Sequence, residues 1–571
     1  MDFARACLPK SIPRLITFVL GASIVTWTIL YIVSPHPNDF DWLNDPQPYG
    51  RSRYPPLRPP PRPSQPPIAI VSEWDKRAEE VKDAFLHAYR GYEQYAAPHD
   101  ELLPLTSQWI DNFNGWGVTL IDALDTMWIM DLREEFYRTL PLIANLTFSS
   151  PEKADNFVPF FETVIRYLGG LLSGYALSGE SLLITRADDL GQLLLHAFDT
   201  DTGLPMYAVD TATGATRGGW ASGVVLWSEA LSCQMEYKYL AHLTGRPEYY
   251  DKVEHIMNIM RDTNIHDGMF PTKWSVLSGR PTNDQFSVGA FADSAHEYLL
   301  KQWLMSGKSE TKARDLYLNA ANAILKNLLY LTPNRKLLYV TDTNDGVPSH
   351  TFEHLSCFLP GLLALGAHNL PLSHDDKQLH MWAAQGLAYT CWITYADHIS
   401  GLGPDEMIMD SWPSDPHKGR WLPHVEHWKA EGSIRAIPPG LNEVLPKGPG
   451  ERDYFARKNG YLLRPETVES FYLLWRTTGN SEWRERGWSV FEAIQRETKT
   501  ASGYASLLSV EPPSKKNEMP SFFMAETLKY LYLLFREDDV ISLDQWVFNT
   551  EAHPLPIFQW TNWEKQQYGI V

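Results

Sequence analysis

Residues 462–479 read LLRPETVESFYLLWRTTG, and NSE (480–482) follows at once. Pro465 suits the first turn of a helix, where its missing N–H costs nothing. Val468, Phe471, Leu473, Leu474 and Trp475 give that helix an apolar body, and Gly479 supplies a stop. Glu466 and Glu469 are three residues apart and share one face at its mouth. Two carboxylates there are costly to bury unless something pairs with them or uses them. Taken alone, attraction to the helix dipole explains them equally well. The recurrence of the arrangement along the chain favours use.

Working outward, similar polar turns stand at LSGES (177–181), LTGRPE (243–248) and MSGKSE (305–310), besides TTGNSE (477–482). Each sets Gly at a helix stop and Ser or Pro at the next start. Helical periodicity predicts helices near 72–94, 118–131, 157–178, 180–198, 221–244, 247–263 and 289–306. Others follow near 309–330, 353–366, 374–398, 465–479, 481–498 and 519–537, with few convincing strands. The repeating unit is a helical hairpin, which builds either an open solenoid or a closed α/α toroid. The more apolar first helix of each hairpin carries acid near its start: Glu162, Glu229, Asp293, Glu353 (beside His354), Glu466 with Glu469, and Glu526. If the inner helices of a toroid all begin at one end, these acids converge on one rim. A solenoid gives no reason for that. Convergent carboxylates with aromatic walls suit glycosidic hydrolysis, or a hard cation with oxygen ligands.

The 571 residues are 44% hydrophobic, enough for a large core, and carry 50 basic against 69 acidic side chains, a net charge of −19. That balance argues against a nucleic-acid partner. The 21 Trp and 27 Tyr serve mainly as core, with some available for stacking on sugar rings. Residues 15–33 (LITFVLGASIVTWTILYIV) hold no charge and are long enough to span a bilayer. Arg5, Lys10 and Arg14 precede them, so the positive-inside rule keeps 1–14 cytosolic and sends the remainder to the lumen. An uncleaved type II anchor over 15–34 is favoured over a cleaved signal peptide, because the apolar run is long and lacks a small-residue cleavage site. Residues 35–70, proline-dense around PPLRPPPRPSQPP, form a semi-rigid stem, leaving 71–571 as the catalytic-sized domain. Asn145-Leu-Thr147 is a glycosylation sequon usable in the lumen. Among the lumenal Cys233, Cys357 and Cys391 at most one disulfide forms.

Six blocks then resemble one known family: WGVTLIDALDTMWIMDL (116–132), FETVIRYLGGLLSGYALSG (161–179), HLSCFLPG (354–361), LLRPETVES (462–470), SFFMAETLKYLYLLF (521–535) and FNTEAHPLP (548–556). They are similar, in order, to the class I α-mannosidases, glycoside hydrolase family 47. The resemblance implies an all-α, (α/α)7 barrel that hydrolyses α-1,2-linked mannose of high-mannose N-glycans with inversion and a bound Ca²⁺. It further implies a setting in the ER or Golgi lumen and a monomeric catalytic domain. By resemblance, Glu162 is the general acid, acting through a water, Glu466 the general base, and Asp293 the third essential carboxylate and an alternative acid. Thr550 matches the calcium ligand, with ligand waters held by acids resembling Glu469, Glu526 and Glu551. Arg166, Arg464 and Phe522 match the terminal-mannose pocket, and Cys357 with Cys391 the family disulfide, which leaves Cys233 buried in a helix.

Several residues keep two readings. Glu229 is a substrate contact or a hydrogen-bonded core acid, and His354 a structural or a ligand-contacting group. Asp122 and Asp125 orient the first inner helix. Arg166 also stands one turn from Glu162, where it can neutralise that acid. The chain departs from the family at GAFAD (289–293), which sets Phe291 where Arg or Leu helps read the mannose branch. An aromatic there forfeits a bidentate contact to sugar hydroxyls, so relaxed branch discrimination is expected, with several mannoses removed. Asp405 and Glu406 stand where the family has one acid, and the long segment to Tyr461 reshapes the outer subsites. Two rival functions are a glycan-binding, quality-control mannosidase-like protein with weak or partner-dependent hydrolysis, and a scaffold whose acids merely cap helices.

Overall fold

The computed structural model describes residues 72–148, 157–219, 223–413, 415, 417–433 and 437–570. The expected anchor (15–34) and stem (35–70) lie outside the described residues. Among those residues no helix is long and apolar enough to cross a membrane.

Helix α1 (Glu73–Tyr95) begins where the Ser72 hydroxyl accepts from Asp75 N–H at 3.0 Å, and buries Ala78, Val81, Phe85, Ala88, Tyr89 and Tyr92 along one stripe. Two short helices, α2 (Val118–Asp122) and α3 (Leu124–Ile129), break at Ala123 and lead into α4 (Arg133–Ala144). A continuous run, α5, passes from Phe160–Glu162 through a π-helical turn, Thr163–Leu168, into Gly169–Ser178. Its partner is α6 (Ser181–Leu194). Next come α7 (Trp227–Leu231 and Gln234–Thr244) with α8 (Pro247–Asp262), and α9 (Asp293–Met305) with α10 (Thr311–Asn327). They are followed by α11 (His354–Phe358 and Leu359–Asn369) with α12 (His374–Ala396). After α13 (Trp421–Ala430) stand α14 (Glu466–Thr478) with α15 (Glu482–Glu497), then α16 (Phe523–Thr527 and Leu528–Phe535) and α17 (Asn562–Tyr568).

Packing sorts these into two rings. Helices α3, α5, α7, α9, α11, α14 and α16 touch in that order, and α16 returns to α2 and α3. Each packs on an outer helix, and α16 finds its partner in α1, so the first helix of the domain closes the circle. The described residues therefore form a seven-hairpin toroid, not an open solenoid. Inner helices are buried nearly all round: every residue of α9 after Asp293 is buried, whereas α10 buries one face. Gly179, Gly245 and Gly479 end inner helices at φ 77°, 70° and 71°, the left-handed stop that only glycine adopts freely.

Those short turns all carry the chain from an inner to an outer helix. The return connections are long and hold small antiparallel sheets, so every inner helix starts at the same, strand-bearing end. Strand Phe157–Pro159 leads into α5, Val224–Leu226 into α7 and Thr351–Glu353 into α11. These strands correct the helix starts predicted near 157, 221 and 353, because pairing with Ala208–Asp210, Lys273–Ser275 and Glu406–Met409 overrides local helical preference. The start near 289 moves to Asp293, and that near 519 to Phe523. Helices α4, α13 and α17 are additions to the predicted set. Cys233 is not within a helix but buried at the break inside α7. Cys357 and Cys391 are joined as expected, linking α11 to α12.

From the opposite end a hairpin, Trp546–Phe548 paired with Pro554–Pro556, rises along the axis. Phe558 N–H reaches Met305 O, at the far end of α9, while Thr550 Oγ1 at the tip donates to Glu297 Oε1 at 3.0 Å, one turn inside the rim. The hairpin is the floor of the funnel.

Candidate active site

Three rim carboxyls stand on alternate inner helices. Glu162 ends the first turn of α5, Asp293 opens α9 and Glu466 opens α14, so they face one another across the mouth instead of lying side by side. Glu162 is the most open, with 35% of its side chain exposed against 12% for Glu466. The Arg166 guanidinium donates Nε to Glu162 at 2.8 Å and Nη1 to Glu551 at 2.7 Å, tying the rim to the hairpin tip. The rings of Phe113 and Phe522 lie 5.1 and 5.9 Å from it. Glu466 accepts from His354 Nδ1 at 2.9 Å and has Arg464 Nη1 at 3.7 Å, while Arg464 Nε donates to Asp405 at 2.6 Å. Desolvation raises Asp293 to about 8, with Glu297 and Glu353 adding repulsion and the Ser294 N–H opposing.

Glu229 takes the Leu226 N–H at 3.0 Å, capping its own helix; burial raises its pKa, and the Glu162 charge adds to that. Phe291 sits on the half-buried 289–292 bend, with Lys273 Nζ 5.9 Å from its ring centroid. That bend is held from both sides: Ser228 N–H donates to Phe291 O at 3.2 Å, and Ala290 N–H to Glu353 at 3.0 Å. Gly289 permits the second contact, since a Cβ there would lie 2.2 Å from Glu353 Oε2.

One turn below the rim the acids crowd around Thr550. Burial raises Glu469 and Glu551 to about 8 and Glu526 well above the carboxylate range, with Glu526 and Glu551 hydrogen-bonded to each other. Against Glu297, Glu469, Glu526 and Glu551 stand Lys301, paired with Glu297 and 3.8 Å from Glu469, and Arg166. Such an excess of buried negative charge is relieved by protons or by a cation. Among the described residues no three His, Cys, Asp or Glu side chains are placed to grip a metal directly. The donor set instead fits a hard cation held by Thr550 and by waters hung on these acids: it is all oxygen, and Ca²⁺ accepts several waters.

Beneath the tip a buried network seats the hairpin. His553 Nδ1 meets Asp125 at 2.7 Å, Lys529 Nζ meets Asp125 at 2.7 Å, and Ser173 donates to Asp125 at 2.8 Å. Asn549 donates to Ile165 O at 3.0 Å and Glu236 at 2.8 Å. Asp122 and Asp125 thus orient the hairpin as well as the first inner helix. Sequence reasoning passed over Glu297, which lies four residues after Asp293 and was findable as its next turn on the same helix face. It also passed over Tyr395 and His553, for which no spacing offered a signal. Asn145, the sequon residue, is exposed at the end of α4.

The model of glycosyl hydrolase family 47 matches residues 84–557. The chain is 39% identical over 494 residues to the endoplasmic reticulum mannosyl-oligosaccharide 1,2-alpha-mannosidase of Mus musculus, covering 85% of this chain and 68% of that protein. It is likewise 39% identical over 517 residues to the Homo sapiens protein of the same name, covering 89% and 67%. Among solved structures, the alpha-1,2-mannosidase from Trichoderma reesei superposes with a TM-score of 0.73 at 28% identity, over 85% of this chain and 99% of that one. With its closed ring of helical hairpins and its acid-lined funnel, the chain belongs to glycosyl hydrolase family 47.

Proposed function

We propose that the protein is an exo-acting mannosyl-oligosaccharide 1,2-α-mannosidase, trimming high-mannose N-glycans by inverting hydrolysis in the secretory lumen. The observation that carries this is the placing of Glu162, Asp293 and Glu466 across one mouth, above a hairpin tip surrounded by acids. Inversion requires acid and base carboxyls about 6.5–9.5 Å apart, with a water between base and sugar, and Glu162 and Glu466 start from inner helices that are not neighbours. Glu466, held by His354 and Arg464, takes the proton of that water. Glu162, open to solvent and oriented by Arg166, delivers a proton to the leaving oxygen through water; Asp293, held protonated through neutral pH, is the second possible donor. Phe522 and Arg464 wall the terminal-sugar pocket. Thr550, with waters held by Glu469, Glu526 and Glu551, would hold Ca²⁺, which supplies positive charge and coordination for sugar hydroxyls. The uncharged 15–33 segment supports a type II anchor in the ER or Golgi, the exposed Asn145 an N-glycan, and the acidic balance a partner that is not nucleic acid.

The full-length chain in detergent should release mannose from a nine-mannose glycan, and chelation of calcium should stop it. Glu466→Gln should cut turnover by ~10²–10⁴-fold with the fold intact, the usual contribution of a general base. Tight glycan binding by the wild-type protein without any turnover would replace hydrolysis by recognition, and unchanged turnover in Glu466→Gln would return the acids to helix capping.

A further inference from the structure

Tyr395 belongs to the outer helix α12, one layer behind the rim, yet its hydroxyl meets Nε2 of His354, whose Nδ1 meets Glu466. We propose that Tyr395 is a positioning residue for the general base, fixing the tautomer of His354 and through it the donor that Glu466 receives. The proposal deepens the assignment of Glu466 as base and rests on it.

The argument is one of donors and acceptors. A neutral imidazole has one N–H and one lone pair, and an ionised carboxylate only accepts. Facing Glu466, Nδ1 must carry the hydrogen. Nε2 is then an acceptor, and the Tyr395 hydroxyl must give its hydrogen to it. The hydroxyls of Thr467 and Tyr461 are buried without a hydrogen-bond partner, so neither takes the phenol's hydrogen away from Nε2. With the phenol oxygen deleted, the Nε2 lone pair is buried without a donor, and the Nδ1–H tautomer loses that support. In the opposite tautomer a lone pair at Nδ1 faces the carboxylate, and the base loses a buried N–H.

The surroundings hold Tyr395 to this task. His354 is 3% exposed and Tyr395 2%, so water does not substitute for either partner. Gly403 lies flat against the ring, where a Cβ would come within 2.7 Å of Cδ2, and the Tyr461 ring stands 6.0 Å away at 77°. The Cys357–Cys391 disulfide sits about one turn from each partner: Cys357 follows His354 by three residues and Cys391 precedes Tyr395 by four. The covalent tie therefore joins the same two segments as the hydrogen bond.

The test compares Tyr395→Phe, His354→Asn and the double variant in the full-length chain, with folding followed by circular dichroism and melting. We expect Tyr395→Phe to lower kcat roughly 10- to 100-fold, the range typical of orienting partners, with KM unchanged. In the His354→Asn background the same change should alter kcat by less than about twofold, because coupled residues are non-additive. Wild-type kcat in Tyr395→Phe, a change confined to KM, or additive losses overturn the proposal. A second measurement needs no variant of Tyr395: in ¹⁵N-histidine-labelled protein, His354, assigned by its absence in His354→Asn, should be the Nδ1–H tautomer. An Nε2–H tautomer or an imidazolium at neutral pH overturns it. An inactive Glu466→Gln beside an unaffected Tyr395→Phe removes the role of Tyr395 alone, whereas an active Glu466→Gln removes the base assignment beneath it.

Discussion

Lys529→Met tests how the axial hairpin is seated. Lys529 and Asp125 are both fully buried, 2.7 Å apart, and the same ammonium donates to Ala552 O at 2.6 Å. Removing one partner of a buried pair costs about 3–5 kcal/mol. Asp125 retains Ser173 and His553, which favours the lower end. The orphaned Ala552 carbonyl adds about 1–3 kcal/mol. A total near 4 kcal/mol follows, and an unfolding entropy of ~2.1 cal/mol/K per residue over about 500 residues converts it to a fall in Tm of about 4 °C. Scanning calorimetry at one fixed scan rate reads this, since a domain of this size need not unfold reversibly. Mannose release should fall too, because Ala552 lies two residues from Thr550. Lys529→Met combined with Asp125→Asn should lose less than the sum of the single changes, as the pair shares one interaction. A fall below about 1 °C in Lys529→Met would refute the reasoning, because it would mean that the buried charge has no dependence on its partner.

Calcium at about 100 times its Kd should stabilise the wild-type chain by ~2.7 kcal/mol, an increment that Thr550→Ala should abolish; equal melting of both proteins with and without calcium would exclude a site at the hairpin tip. Glu101, buried and accepting from Ser521 N–H and Asn112, is raised by that burial to about 7, so the native state holds an extra proton between pH 4.5 and 7. Its contribution to stability is present below the unfolded value and lost as pH rises through the folded one, by up to about 1.4 kcal/mol per unit, and Glu101→Gln should flatten chemical denaturation midpoints across that window. Phe291 lacks the fork of an Arg, so the wild-type enzyme should remove several α-1,2 mannoses and Phe291→Arg should narrow the product profile. A single eight-mannose product resistant to further trimming would defeat that expectation.

The inner helices were legible because their apolar runs end at Gly179, Gly245, Gly307 and Gly479, where backbone stereochemistry leaves few other choices. The acids were legible as a set because each opens such a run. Other parts were hidden for identifiable reasons. Helix α4 contains Pro141 and has no side-chain cap at Leu132, and the axial strand Pro554–Pro556 is mostly proline, which reads as loop. The strands that precede α5, α7 and α11 are three residues long, too short for alternation to show, and owe their form to partners tens of residues away. Tyr395 and His553 act across layers, and no spacing along the chain encodes a contact between an outer helix and the funnel, or between a hairpin and Asp125.

The hairpin that floors the funnel has a consequence for biosynthesis. In chain order it follows all seven inner helices, and the circle of helices itself closes only when α16 docks on α1. A nascent chain can therefore assemble hairpin upon hairpin while its sugar site is still without a floor. Thr550 and Glu551 belong to this last-made hairpin, so Glu297 and Arg166 gain these partners only after every inner helix has been synthesised. The ordering leaves the funnel without its floor until residue 556 has been made. It also means that a truncation before residue 546 leaves the buried acids of α5, α9, α14 and α16 lining an open bore, exposed to solvent and to quality control.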